Sequence, residues 1–250
     1  MARAFDDLVD EAACAPIEGW DFGWLEGRAT EERPSWGYAG LVAERAATAA
    51  SLLDLETGGG ELLAGVPRLP PGTVATEAWG PNVDRAAARL QSRHASVVAA
   101  DEENLPFGEG SFELVISRHP VATCWEEVAR VLTPGGRYLS QQVGPRSMVE
   151  LTEHFLGPQH VPPRREPEQA AVQAGAAGLS VVDLRKARLR ATFLDVGAVV
   201  YFLRLVIWIV PDFTVTRYRH RLLVLHRQIQ DRGPFVAHAT RFLIEATKPG

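Results

Sequence analysis

A strand-like run, Leu52-Leu53-Asp54-Leu55, passes directly into Glu56-Thr57-Gly58-Gly59-Gly60-Glu61. A glycine-rich turn between a strand and a helix keeps side chains out of the way, so the backbone can approach a ligand closely. Two carboxylates follow at the ends of the next two strand candidates. Glu77 stands where a carboxylate can accept hydrogen bonds from both hydroxyls of a ribose. Asp101 opens Asp101-Glu102-Glu103-Asn104-Leu105-Pro106-Phe107, where a carboxylate can accept from an adenine amino group. In open α/β sheets ligands bind beyond the carboxyl ends of the strands, so these successive ends point to one nucleoside site. A fourth strand end carries Ser117-Arg118-His119-Pro120. Histidine titrates near neutrality, which makes His119 the candidate general base or orienting group. Pro120 biases it toward an extended backbone.

The elements that must position these residues alternate along the chain. Short apolar strand candidates lie at 51–55, 73–76, 96–100, 112–117 and 137–143, with helical stretches at 61–66, 82–93 and 120–132 between them. Strands alternating with helices argue for βαβ units and a parallel sheet. A Pro-rich stretch, 157–167, reads as a loop before a helix at 168–176, and 179–189 and 235–248 supply a sixth and a seventh strand. Between those two strands, 195–209 and 214–231 have helical periodicity, separated by Pro211. An insertion in that place suggests a cap over the carboxyl edge of the sheet. The first fifty residues are helical at both ends: Phe5, Leu8, Val9 and Ala12 follow helical spacing, and 38–50 is rich in alanine. An aromatic segment with Trp20, Phe22, Trp24, Trp36 and Tyr38 lies between them and reads as a lid. The expected organisation is therefore one domain over 1–250, with a lid at 1–50, a nucleoside-binding core at 51–144, and a C-terminal half at 145–250 whose insertion is 194–233.

Composition narrows the function classes. With 46% hydrophobic and 23% charged residues in 250, the chain has the make-up of an ordinary globular protein. Its formal net charge of −5 argues against a nucleic-acid partner, because binding a polyanion needs clustered Lys and Arg; only 185–190 and 217–221 are densely basic. Cys14 and Cys124 lie far apart and form no metal-spaced cluster, so a reduced, cytoplasmic compartment and no metal are expected. The most apolar stretch, 197–210, contains Arg204 and is too short for a bilayer hydrocarbon core of about 30 Å, so no membrane span is expected. A nicotinamide dehydrogenase is disfavoured as well. Its G-x-G-x-x-G fingerprint needs a small residue where this chain has Leu63, and Glu56 and Glu61 put negative charge where a pyrophosphate would sit.

The ordered motifs resemble the class I S-adenosylmethionine (SAM)-dependent methyltransferases. The glycine loop is similar to their first motif, Glu77 to the ribose-binding acid, and Asp101 with Leu105-Pro106-Phe107 to the adenine-side motif. Phe112-Glu113-Leu114-Val115-Ile116-Ser117 is similar to the fourth-strand motif, and Arg130-Val131-Leu132-Thr133-Pro134-Gly135-Gly136-Arg137 to the helix–turn–strand after it. The resemblance covers 51–144 well and the last two strands weakly. It implies a Rossmann-like α/β fold, a seven-stranded sheet with an antiparallel last strand flanked by helices. It also implies SAM as cofactor, held by Asp54, Glu56, Gly58, Gly60, Glu77, Ala78, Asp101, Glu102 and Ser117. Glu56 departs from the family, standing where the first loop glycine is usual, and Glu113 replaces a common Asp. Glu56 needs either ordinary backbone geometry or a strained left-handed one; its carboxylate either pairs with a cationic part of the cofactor or faces solvent. The expected activity is methyl transfer to oxygen, nitrogen or carbon of a small-molecule acceptor lined by Trp20, Trp24, Arg118, Tyr201 and Trp208. The alternatives are an RNA methyltransferase using the two basic runs and a catalytically silent SAM-binding protein.

Overall fold

The computed structural model describes residues 3–17, 19–159 and 166–250. Its helices are α1 (Phe5–Cys14), α2 (Tyr38–Ala46), α3 (Glu61–Gly65), α4 (Gly80–Leu90), α5 (Trp125–Val131), α6 (Val149–Leu156), α7 (Pro167–Ala176), α8 (Val196–Leu205) and α9 (Val215–Arg232). Its strands are β1 (Ala29–Glu31), β2 (Ser51–Leu55), β3 (Gly72–Glu77), β4 (Ser96–Ala99), β5 (Phe112–Arg118), β6 (Leu132–Val143), β7 (Ser180–Phe193) and β8 (Phe235–Thr247). The chain forms two compact units. A core unit comprises Pro34–Gly144, Arg165–Ala187 and Arg241–Gly250, and a second unit comprises Met1–Arg33, Pro145–Arg164 and Arg188–Thr240.

The core unit is a sheet in the order β7-β8-β6-β5-β2-β3-β4. Strands β2 to β6 pair in parallel, and β8 runs antiparallel to β6, from Arg137↔Thr247 to Val143↔Arg241. Neighbouring residues alternate between two apolar layers, as the strand period of two requires. Leu53, Val115, Tyr138, Phe242 and Ile244 pack with Trp125 and Val128 of α5 and Ala170 and Ala174 of α7. Leu52, Leu114, Ile116, Leu139 and Leu243 pack with Val42 of α2, Leu63 of α3 and Leu90 of α4. A sheet covered on both faces explains why its strands read as continuous apolar runs. After β2 the chain builds outward through β3 and β4, then returns to place β5 on the other side of β2. That reversal makes the carboxyl ends of β2 and β5 a topological switch point, where open sheets bind ligands.

In the second unit α8 is buried nearly all round, from Val196 to Leu203. A Cβ on Gly197 would lie 2.7 Å from the Leu8 carbonyl oxygen, so glycine permits the close approach of α1 to α8. The Asp195 side chain caps α8 by accepting from the Ala198 N–H at 2.8 Å, and Thr214 caps α9 by accepting from the Arg217 N–H at 3.1 Å. Arg204 turns its guanidinium to the carbonyls of Ala12 and Ala15 at the end of α1, which otherwise lack intrahelical donors. No helix among the described residues is long and apolar enough to cross a membrane.

All seven expected strands form, and a three-residue strand is added: β1 pairs antiparallel with the end of β7, Ala29↔Phe193 to Glu31↔Ala191. α6 is also additional. The helix expected at 120–132 begins only at Trp125. β6 begins at Leu132 rather than 137, since Phe112↔Leu132 pairs before a bulge. Most of the loop expected at 157–167 lies outside the described residues.

Candidate functional site

The core unit brings together the carboxyl ends of β2, β3, β4 and β5. Asp54, next to last in β2, is 2% exposed. Burial pushes its carboxyl up to about 7, against the Thr57 hydroxyl, which donates to Oδ2 at 2.6 Å, and the charge of Arg118. Asp54 thus ties the strand to its own loop. In that loop Gly58 and Gly60 take left-handed backbone, at φ 61° and 80°. A Cβ on Gly58 would enter open space, whereas one on Gly60 would press on Leu90 at 3.1 Å. One glycine therefore clears an approach to the backbone and the other lets α4 pack.

Glu77 ends β3 with its carboxylate held from both sides. The Gly58 N–H donates to Oε2 at 2.9 Å and the Trp79 N–H to Oε1 at 3.0 Å. Each oxygen keeps a second lone pair, so the carboxylate is oriented by the loop and can still accept from a diol. Ala78, the next residue, is exposed. Asp101 Oδ1 accepts from the N–H groups of Glu103 and Asn104, at 3.0 and 3.1 Å, which fixes the turn after β4. The departure at Glu113 lies at the opposite end of β5, where its carboxylate accepts from the Ala50 N–H at 2.8 Å.

Glu56 adopts the left-handed conformation, φ 52°, the backbone of the glycine it replaces, at a cost of about 1–2 kcal/mol for a residue with a Cβ. Its carboxyl lies inward. It accepts from the Val121 N–H at 3.2 Å, and Glu102 lines the same pocket. Burial first, and then Glu102, push it up to about 8. A small pocket beside the pair is lined by Leu55, Glu56, Glu102, Ser117, Pro120, Ala122, Thr123, Cys124 and Tyr138. Ser117 is 1% exposed, with its hydroxyl 2.8 Å from those of Tyr138 and Ser140.

His119 differs from the extended geometry expected of a residue before proline. Its φ is 58°, and its N–H donates to the Gln141 carbonyl at 2.7 Å, which prolongs the β5–β6 pairing by one residue. The Trp36 indole N–H donates to Gln141 Oε1 at 2.8 Å. Indole has only a donor to offer, so the other end of that amide is its NH2, 3.0 Å from His119 Nε2. His119 therefore accepts at Nε2 and carries its proton on Nδ1. Burial, then the charges of Arg241 and Arg118, lower it to about 3. The imidazole is neutral across the physiological range. Arg118 itself ends β5 and is exposed.

The remaining aromatic candidates lie in the second unit. Trp24 stacks on Tyr201 with ring centroids 4.8 Å apart, under the Arg28 guanidinium at 4.0 Å. The Tyr201 hydroxyl donates to the Asp21 carbonyl at 2.9 Å. Trp20 and Trp208 meet at 5.4 Å and are each 53% exposed. Trp36 and Tyr38, expected in the same lid, belong to the core unit instead. Thr57 and Gln141 escaped sequence reasoning, and Trp36 was expected only as part of the lid. Only Gln141 carried a signal, in the β5–β6 register, and that required knowing where β6 starts.

Residues 53–140 match the family model described as "Methyltransferase domain". The segment runs from β2 into β6 and contains every core-unit residue expected to hold the cofactor. The family's cofactor is SAM, which the anchored Glu77 carboxylate and the open face of Gly58 fit. The chain is similar to the biotin biosynthesis bifunctional protein BioHC of Cellvibrio japonicus, 34% identical over 98 residues, or 34% of this chain and 20% of that protein. The chain thus spans about a fifth of the length of that relative. The fold is shared with the YcgJ protein of Bacillus subtilis (20% identity, 85% of this chain and 98% of that one, TM-score 0.61). It is shared also with geranyl diphosphate C-methyltransferase of Streptomyces coelicolor, solved with Mg2+, geranyl diphosphate and S-adenosyl-L-homocysteine (14% identity, 84% and 76%, TM-score 0.52).

Proposed function

We propose that this chain transfers the methyl group of SAM to oxygen, nitrogen or carbon of a small-molecule acceptor. The observation that carries the reading is Glu77: a carboxylate held by the N–H groups of Gly58 and Trp79, at the strand end where a ribose diol is recognised, inside the segment that matches the methyltransferase family. In this reading the glycine loop leaves room for the cofactor's methionine portion, and the Asp101 turn receives the adenine amino group. When bound, SAM supplies an electrophilic methyl on a positively charged sulfur.

Positioning of the acceptor is then what the protein must contribute, since in-line displacement depends on near-attack geometry. His119 orients the acceptor in this reading: held neutral, with Nε2 engaged by Gln141, it offers an Nδ1–H donor rather than a strong base. Trp20, Trp24, Tyr201 and Trp208 are the acceptor contacts in this reading, which takes the chain as one methyltransferase domain. Calorimetric titration with SAM, S-adenosylhomocysteine (SAH) and NAD tests the cofactor reading. SAM and SAH are expected to bind in preference to NAD. Tight NAD binding with no heat from SAH would overturn it.

A further inference from the structure

Glu56 is the one residue of the glycine loop whose side chain enters the pocket at the switch point. It departs from glycine, yet the backbone has kept glycine's left-handed conformation, so the chain retains the turn and adds a carboxyl. That carboxyl accepts from the Val121 N–H after β5, and Glu102, after β4, lines the pocket beside it. The lining of the pocket contains two carboxyl groups and no lysine, arginine or histidine. Glu77 adds further negative charge, and burial weighs against ionising the pair. The remaining titratable groups of the lining, Cys124 and Tyr138, are neutral when protonated and supply no counter-charge. Arg118, the cation of β5, acts on Asp54 and His119 rather than lining this pocket. Burial beside Glu102 and Glu77 thus favours the protonated form of Glu56.

We propose that Glu56 makes cofactor capture proton-linked: its carboxyl releases a proton to solvent when the cationic cofactor enters, and Glu56 and Glu102 together become the counter-charge. This rests on the SAM-binding reading above. The exchange balances, since a singly charged pair plus a cation becomes a doubly charged pair holding that cation, with one proton delivered to buffer. A neutral ligand gains nothing from the exchange. Glu56 thus selects for charge at a loop position where glycine cannot.

The consequence is measurable as linkage. For a Glu56 carboxyl pushed up to about 8, the ionised fraction rises roughly twentyfold between pH 6.5 and 8.5, and SAM affinity rises by the same factor. SAM is titrated calorimetrically into the wild-type chain, Glu56→Gln and Glu56→Gly, across that pH range and in buffers of different ionisation enthalpy, which counts protons released. The wild type is expected to release close to one proton per SAM at pH 7 and to bind more tightly as pH rises. Both variants are expected to release almost none and to show a nearly flat pH profile. Glu56→Gly restores the usual loop residue, so loss of fold does not obscure the result. Binding in all three proteins with the same proton count would overturn the role of Glu56 while leaving SAM binding intact. No SAM binding by any of the three, at any pH, would overturn the cofactor reading itself.

Discussion

His119 should leave its mark on acid stability. In the folded chain burial and two arginine charges hold its pKa near 3, against an ordinary value of 6.5. A group with a depressed folded pKa contributes stability that is present above its unfolded pKa and disappears as pH falls, because the unfolded chain takes up a proton that the folded chain refuses. At 1.36 kcal/mol per pKa unit, the penalty at pH 5 is about 2 kcal/mol and at pH 7 only a few tenths. The chosen perturbation is His119→Asn, since asparagine tolerates left-handed backbone better than most residues and does not titrate. Urea unfolding of both proteins at pH 7 and pH 5 isolates the effect, because the other titrating groups are common to both. The wild type is expected to lose about 2 kcal/mol more than the variant over this interval. Equal losses would mean that His119 is protonated in the folded state near its ordinary pH. The neutral, Nδ1–H ring inferred from the Trp36–Gln141 contacts would then be wrong. The same reasoning predicts that turnover shows no limb near pH 6.5 traceable to His119.

Glu77→Ala is expected to weaken SAH binding at least tenfold, about 1.4 kcal/mol, since it removes two charge-assisted acceptors; titration calorimetry reads it, and an unchanged dissociation constant would place the ribose elsewhere. The same variant should lower the melting temperature, because the Gly58 and Trp79 N–H groups lose their partner. Thr57→Val removes the hydroxyl donated to the buried Asp54 and should cost about 1–3 kcal/mol, most of it above pH 7 where that carboxyl ionises; denaturant titrations at pH 6 and 8.5 compare the two conditions. Trp20→Ala and Trp208→Ala remove an exposed pair and should shift stability by less than about 1 kcal/mol, while raising the Michaelis constant for the acceptor once one is known. Wild-type acceptor kinetics in both variants would remove the pair from the acceptor site.

The parts of the fold that were legible are those where one physical rule dominates. β2, predicted at 51–55, forms at Ser51–Leu55, since a buried central strand must be apolar on both faces and the glycines after it end it sharply. β1 was not legible, because Ala29-Thr30-Glu31 carries no apolar alternation and becomes a strand only by pairing with β7. Residues 120–124 were expected as the first turns of a helix that begins only at Trp125. In the site, Glu77 and Asp101 were legible from their strand-end positions. The Glu56–Glu102 contact and the Trp36–Gln141–His119 chain were not, because each joins residues from different strand ends. Trp36 was assigned by composition to an aromatic lid, but its indole is used inside the core unit.

The alternation of the chain between its two compact units has a consequence for biosynthesis. The polypeptide passes from one unit to the other at 33/34, 144/145, 164/165, 187/188 and 240/241, so neither unit corresponds to an uninterrupted stretch of message. The antiparallel partner of β6 is the segment Arg241–Thr247. At translation rates of about 5–20 residues per second, a ribosome that has finished β6 needs roughly 5–20 s more to deliver that partner. Throughout that interval one edge of β6 is unpaired, with Tyr138 and Leu139 awaiting Ala246 and Glu245. Nascent chains truncated before residue 241 should therefore engage chaperones or aggregate, although they already contain every residue of the methyltransferase segment.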